Sequence, residues 1–298
     1  MKALVLSDGK PGHVNQSLAF AELSGCDHDL VEVRTRGRLA KGLGYLFDRC
    51  GVYSSSLFTP VTCDGHYDLV VSAGSETYYA NKVLARQLRV RSVAIMLPRG
   101  FRYDFNLILA QEHDNPPSRD NLVSLPINLC RVSPQGVFRP EPDRRYISLI
   151  IGGNSRHCRL DAAALKVRVE EIFALFPAAD KLVTTSRRTP DEVERMLETF
   201  DFADRVIYSR TPKNPIPDYL ACSEHVFLTG DSTSMVSEAV SFGNGCVEIL
   251  PVDYRRPDSK IAAMISHLEK RGLLHVFDGS LGHCRDKIDL QQLLKGVL

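Results

Sequence analysis

The sequence predicts an α/β protein made of two doubly wound, Rossmann-like domains facing a cleft. Three observations lead there. Short apolar runs alternate with longer helix-period segments, the pattern of βαβ units around a parallel sheet. The alternation stops at Ser133-Pro134-Gln135-Gly136 and Arg139-Pro140-Glu141-Pro142-Asp143, where three prolines and a glycine can continue neither a central strand nor a helix. It then restarts, and 298 residues suit two units of the usual ~100–200 residues each. The expected domains are 1–138 and 139–298, with the last helix a candidate to return to the first.

Element by element, strands are expected at Ala3–Leu6, Asp29–Val33, Asp68–Ala73, Ser92–Leu97, Leu107–Ala110 and Leu122–Ser124. Helices fit Asn15–Leu23, Arg38–Arg49 and Thr77–Leu88 between them. After the break, strands are expected at Ile147–Ile151, Lys181–Thr185, Val206–Tyr208, Val226–Thr229 and Val247–Leu250. The helices that alternate with them are Asp161–Phe176, Pro190–Phe200, Thr233–Phe242 and Ser259–Lys270. Thr189 with Glu192 reads as a capping box, with Pro190 at the first helical position.

Composition bounds the function. Apolar residues make up 44% and charged residues 24% of the chain, ordinary globular values that exclude disordered, collagen-like and coiled-coil chains. Lys and Arg number 37 against 36 Asp and Glu, so no global basic field gathers nucleic acid, and no nucleic-acid partner is expected. The eight cysteines show no CxxC spacing and read as reduced, mostly buried small hydrophobes. The apolar stretch before Asp8 is too short for a signal peptide, and no run approaches the ~18 apolar residues of a membrane span. The expected setting is the cytoplasm, including the inner face of a membrane.

Ligands of doubly wound sheets bind beyond the carboxyl ends of the strands, so the chemistry is expected in the strand-to-helix loops. Ser7-Asp8-Gly9-Lys10-Pro11-Gly12-His13 follows the first strand, with Asn15 as the expected helix cap. Gly9 and Gly12 are three apart, so the G-x-G-x-x-G fingerprint is absent, and no G-x-x-x-x-G-K-[ST] occurs, which disfavours a nicotinamide enzyme and a P-loop ATPase. Asp8 and His13 remain as catalytic candidates and Lys10 as a substrate contact, since a bare turn seldom gathers an acid, an amine and an imidazole. Glu76, after the third strand, is the third candidate base.

In the second domain, Thr229-Gly230-Asp231-Ser232-Thr233-Ser234-Met235 ends a strand and starts a helix. First-turn amides and hydroxyls there suit a phosphate. Glu238, four residues after Ser234 and so on nearly the same helix face, is placed to accept hydrogen bonds from a ribose diol. Gly152 and Gly153, followed by Asn154, Ser155 and Arg156, let backbone approach a ligand closely. Ser186, Arg187 and Arg188 stand at another strand end, where planar guanidinium forks favour phosphate. The nine histidines contain no H-x-x-x-H helix pair with an acid, and no metal site is expected. Finally, Leu39, Leu43, Leu46 and Phe47 form an apolar helix stripe beside Arg34, Arg36, Arg38 and Lys41. The stripe is expected to pack on the sheet, leaving Tyr53, Leu57 and Phe58 as the patch available to anionic lipid.

Together, the Asp8-to-Ser17 loop, Gly152-Gly153-Asn154-Ser155-Arg156-His157, Thr185-Ser186-Arg187-Arg188-Thr189-Pro190 and Asp231-Ser232-Thr233-Ser234-Met235-Val236-Ser237-Glu238-Ala239 resemble the mitochondrial-fission ELM family. Its bacterial members are described as candidate glycosyltransferases. The resemblance runs from residue 7 to about 250; the departure is Gly243-Asn244-Gly245-Cys246, where the family usually has a Gly-Lys-Pro turn. The second domain is also similar to the GT-B glycosyltransferase that adds N-acetylglucosamine to lipid-linked muramyl peptide. That similarity implies that Gly152, Gly153 and Ser155 flank a diphosphate, that Ser232 to Met235 bind phosphate and that Glu238 holds a ribose. The implied activity is metal-independent transfer of a sugar from a nucleoside-diphosphate sugar, with no further cofactor, to a lipid-linked or saccharide acceptor. Two alternatives stand beside it: a non-catalytic scaffold acting through protein or membrane partners, and a nucleotide-sugar epimerase.

Overall fold

Apolar runs bounded by Gly, Pro and Asp become the strands of the computed structural model, which describes residues 1–63, 65–256, 259–284 and 286–298. The first unit comprises residues 1–131 with 290–298, and the second 132–289. In chain order the first unit holds β1 (Lys2–Ser7), α1 (Pro11–Leu23), β2 (Asp27–Glu32), α2 (Gly37–Cys50), β3 (Leu69–Ala73), α3 (Tyr78–Leu88), β4 (Arg91–Ile95), β5 (Leu107–Gln111) and β6 (Leu122–Leu125). These strands form one parallel sheet in the order β2-β1-β3-β4-β5-β6. β3 and β5 are buried along their whole length, as strands covered on both faces must be.

The second unit holds β7 (Tyr146–Ile151), β8 (Cys158–Arg159), α4 (Ala162–Leu175), β9 (Asp180–Thr185), α5 (Asp191–Leu197), β10 (Asp204–Val206), α6 (Ile216–Cys222), β11 (Ser223–Thr229), α7 (Thr233–Ser241), β12 (Cys246–Leu250), β13 (Asp253–Tyr254), α8 (Lys260–Lys270) and β14 (His275–Val276). α9 (Leu290–Leu293) falls among the terminal residues that group with the first unit. The second parallel sheet runs β10-β9-β7-β11-β12-β14, and β8 pairs antiparallel with β13. Strand order reverses between β1 and β3 in one sheet and between β7 and β11 in the other. At such switch points the loops on the two sides diverge and open a crevice.

Several expectations change. The division lies at 131/132 and not at the expected 138/139, because the Pro-rich stretch is stapled to the second unit. The Asp218 carboxylate accepts the amides of Gln135, Gly136 and Val137, each at 2.9 Å, and Phe138 packs edge-on against Tyr146 and Tyr219. Helix α1 begins at Pro11, not Asn15, because proline at N1 loses no hydrogen bond and brings a helical φ. Asn15 therefore sits inside the helix and caps nothing. α5 starts at Asp191 with no side-chain cap; the Thr189 hydroxyl donates to Gly152 O at 2.5 Å instead, so the expected capping box does not form. α6 was missed, and the strand expected at Val206–Tyr208 forms at Asp204–Val206.

The largest correction concerns α2. It turns Ala40, Gly44 and Asp48 inward and leaves Leu39 86%, Leu43 42% and Leu46 54% exposed. The small residues let the helix approach closely, with Gly44 against the Tyr79 ring. The deeper cause is α3: Lys82 is fully buried, and its ammonium donates to Asp48 at 2.6 Å, to the Arg102 carbonyl at 2.8 Å and to Asp104. A buried ammonium requires such partners, and satisfying it rotates the leucines outward. Conversely Leu57 and Phe58, expected as a free patch, are buried, and Tyr53 is half-buried. Among the described residues no helix is long and apolar enough to cross a membrane.

Candidate functional site

In the second unit three loops meet at the carboxyl edge of the sheet, at the switch point between β7 and β11. Asp231 joins them. Thr229 Oγ1 accepts from Gly152 N at 2.7 Å and donates to Asp231 Oδ1 at 2.6 Å. Asp231 Oδ2 accepts from Gly153 N at 3.0 Å and from Arg188 Nη2 at 3.1 Å. A methyl at Gly152 would stand 1.9 Å from Asp231 Oδ1, and one at Gly153 would stand 2.1 Å from the Arg188 carbonyl carbon, so both positions require glycine. Burial pushes the Asp231 carboxyl above its ordinary pKa, against the pull of Gly153, Thr229 and Arg188. Asp231 and Arg188 thus position the loops.

Most of the polar side chains expected to meet a phosphate are engaged within their own loops. Ser155 Oγ accepts from the amides of His157 and Cys158, Asn154 Oδ1 from Leu160 N, and Ser186 Oγ from Arg188 N. Ser232 caps α7 through Met235 N at 3.4 Å, and Arg156 Nε donates to His157. Thr233 and Met235 are half-buried on the first turn of α7. Arg187 is exposed, and neither its guanidinium nor the Ser234 hydroxyl has a partner among the described residues.

Glu238 is the exception in electrostatics. Its side chain is half-buried one turn along α7 from Ser234, and no donor bonds its carboxylate among the described residues. Burial alone pushes its pKa up to about 7. A desolvated acceptor with no internal donor is costly unless something else satisfies it. A pocket of about 180 Å³ lined by Leu160, Ala164, Arg168 and Val252 lies beside α4 and shares only Thr229 with these loops.

The first unit brings Asp8 and His13 together at its own switch point. Asp8 Oδ2 lies 2.9 Å from His13 Nδ1 and accepts from Lys10 Nζ at 2.7 Å. The Asp8 side chain is 1% exposed, that of His13 23% and that of Lys10 58%. Burial works against the Asp8 charge, but the Lys10 and His13 hydrogen bonds outweigh it and hold its carboxyl below the ordinary range. The imidazole lies over Gly74, which has φ +89° and where a Cβ would come 2.3 Å from Nδ1. In the neutral tautomer whose Nδ1–H donates to the carboxylate, Nε2 carries the lone pair. Glu76 differs: it is ion-paired to Lys41 and accepts from Thr35 at 2.9 Å, and these bonds keep it ionised despite burial.

Sequence reasoning missed Gly74 as the seat of His13, the bridging hydroxyls of Thr229 and Thr189, and Tyr254, which donates to Gly230 O at 2.6 Å. Of these, Gly74 carried a readable signal, as a glycine directly after β3 and two residues before Glu76.

Known proteins share this architecture. The chain is 28% identical over 144 residues to an uncharacterised protein of Rickettsia prowazekii, covering 46% of this chain and 40% of that one. It is 29% identical over 132 residues to the mitochondrial fission protein ELM1 of Arabidopsis thaliana, covering 43% of this chain and 30% of that one. The matched region thus spans less than half the length of these curated relatives. The glycosyltransferase SnogD of Streptomyces nogalater superposes with a TM-score of 0.52 at 14% identity, over 100% of this chain and 94% of its own. A Listeria monocytogenes protein assigned provisionally as a UDP-N-acetylglucosamine 2-epimerase gives 0.55 at 11% identity, over 98% and 85%. At such identities the likeness shows the fold, the two-domain α/β architecture of GT-B glycosyltransferases. The family model for mitochondrial fission ELM1 matches residues 11–293, and to that family the chain belongs.

Proposed function

We propose that the chain transfers a sugar from a nucleoside-diphosphate sugar to an acceptor hydroxyl. The observation that carries this reading is Glu238: a half-buried carboxylate with no donor among the described residues, one helical turn into α7, the helix that follows Asp231 and its bond to the Gly152-Gly153 loop. A ribose diol supplies the two donors it lacks, while the α7 start, Ser234 and Arg187 meet the diphosphate. Positive ends of this kind stabilise the charge that grows on a leaving diphosphate. His13 is the base: Nε2 takes the acceptor's proton, and Asp8 stabilises the resulting imidazolium. Glu76, with both carboxylate oxygens engaged, is the weaker candidate.

The acceptor is proposed to be presented at a lipid surface. Leu39, Leu43 and Leu46 face outward on α2 beside exposed Arg36, Arg38 and Arg49, an apolar face with a basic rim that suits anionic lipid.

Calorimetry of the full chain with UDP, GDP and their sugars tests the donor site, and release of nucleoside diphosphate tests turnover. Binding with release supports transfer. Binding without any reaction identifies a scaffold, and interconversion of two donor sugars identifies an epimerase. Failure of every nucleoside diphosphate to bind overturns the proposal.

A further inference from the structure

A second polar cluster lies on β11, β12 and β14, away from the loops described above. His225 is the register partner of Cys246, and His275 that of Glu248. Cys246 and Glu248 are two apart on β12, so all four side chains share one sheet face. His225 is four positions before Thr229 at the carboxyl edge of β11, roughly 13 Å of strand. Glu248 is fully buried; His225 Nδ1 lies 3.2 Å from its Oε1 and His275 Nδ1 2.7 Å from its Oε2. Potential ligand atoms of His225, Cys246 and Glu248 all lie within 4.8 Å of one another. The segment after β14 closes over them: Gly282 N donates to Glu248 Oε1 at 2.9 Å and Cys284 N to Cys246 Sγ at 3.2 Å.

We propose that this cluster is a structural site for a zinc-class divalent cation, held by His225, Cys246, Glu248 and His275. The donor set argues for it. Thiolate, imidazole and carboxylate together are the ligands of tetrahedral zinc, whose donor atoms sit about 3.3–3.8 Å apart. Inward movement of under about 1 Å brings the His225, Cys246 and Glu248 donor atoms to that spacing. Charge argues for it as well. No Lys or Arg bonds the buried Glu248 carboxylate among the described residues; the nearby Lys287 ammonium is taken by the carbonyls of Ala239 and Gly245, each at 2.8 Å. A divalent ion bound to one carboxylate, one thiolate and two neutral imidazoles leaves the site uncharged. The Cys284 and Gly282 amides orient the ligands from outside, as the surroundings of metal sites commonly do.

The cation ties β14, only two residues long, and the segment after it to the middle of the sheet. The CxxC and H-x-x-x-H spacings that announce most zinc sites are absent because the ligands come from three separate strands.

The test adds Zn²⁺ to the reduced, chelator-stripped full chain against a chromophoric competitor, and Co²⁺ for spectroscopy. One Zn²⁺ per chain, a rise in melting temperature, and a thiolate-to-cobalt charge-transfer band in the wild type are expected. His225→Ala and Cys246→Ser should weaken binding by about tenfold or more, and Cys246→Ser should remove the band. Circular dichroism confirms that each variant is folded, and the cobalt spectrum of the wild type stands without them. Absence of Zn²⁺ binding, a cobalt complex without the thiolate band, or affinity unchanged in both folded variants overturns the proposal. So does recovery of Cys246 and Cys284 as a disulfide-linked peptide, since their sulfurs lie 2.6 Å apart.

Discussion

Glu238→Gln separates the proposed nucleotide site from a merely buried acid. A carboxyl raised from 4.5 to about 7 by burial is protonated in the fold where the unfolded chain is already ionised. The unfolded state then binds fewer protons, so stability falls as pH rises between those values. At about 1.4 kcal/mol per pH unit the full penalty above pH 7 is about 3 kcal/mol, of which less than about 1 kcal/mol is felt at pH 5. The wild type should therefore lose about 2–3 kcal/mol between pH 5 and pH 8 that Glu238→Gln retains. Scanning calorimetry of both proteins at the two pH values reads this difference directly. A bound ribose diol donates to the ionised form, so UDP binding near pH 6 should release a proton and tighten toward pH 8. Calorimetry in buffers of different ionisation enthalpy counts that proton. Equal pH slopes in the two proteins, or UDP binding equally tight and free of proton release in both, would refute the assignment.

His13→Ala should lower turnover about 10²–10⁴-fold with little change in melting temperature, and Asp8→Asn should also lower it by misorienting the imidazole; nucleoside-diphosphate release measures both. Lys82→Met should cost about 3–5 kcal/mol in urea unfolding, because the buried Asp48 loses its counter-charge; a loss below about 1 kcal/mol would show that Asp48 does not need it. The full chain should co-sediment with anionic vesicles at low salt, and Leu39→Glu with Leu46→Glu should abolish this. Wild-type protein left in the supernatant would remove the lipid surface from the proposal.

The parallel-sheet architecture, the two α/β units and the candidate ligand loops were legible in the residue order alone, because period and punctuation are local properties of the chain. Ile147–Ile151 and Val226–Thr229 announce buried strands without help from distant residues. Glu238 was legible for the same reason, through its spacing from Ser234 on one helix face. Other features depend on partners far apart in sequence and emerge with the fold. Asp231 is engaged by Gly153 and Arg188, so it holds loops together, while Ser155 and Ser186 satisfy their own turns. The orientation of α2 is set by Lys82, 34 residues from Asp48. Amphipathicity favoured burying the leucines, but the cost of an unpaired buried ammonium exceeds the gain from covering a few apolar side chains. His225, Cys246, Glu248 and His275 become neighbours only through strand register, which no local spacing encodes.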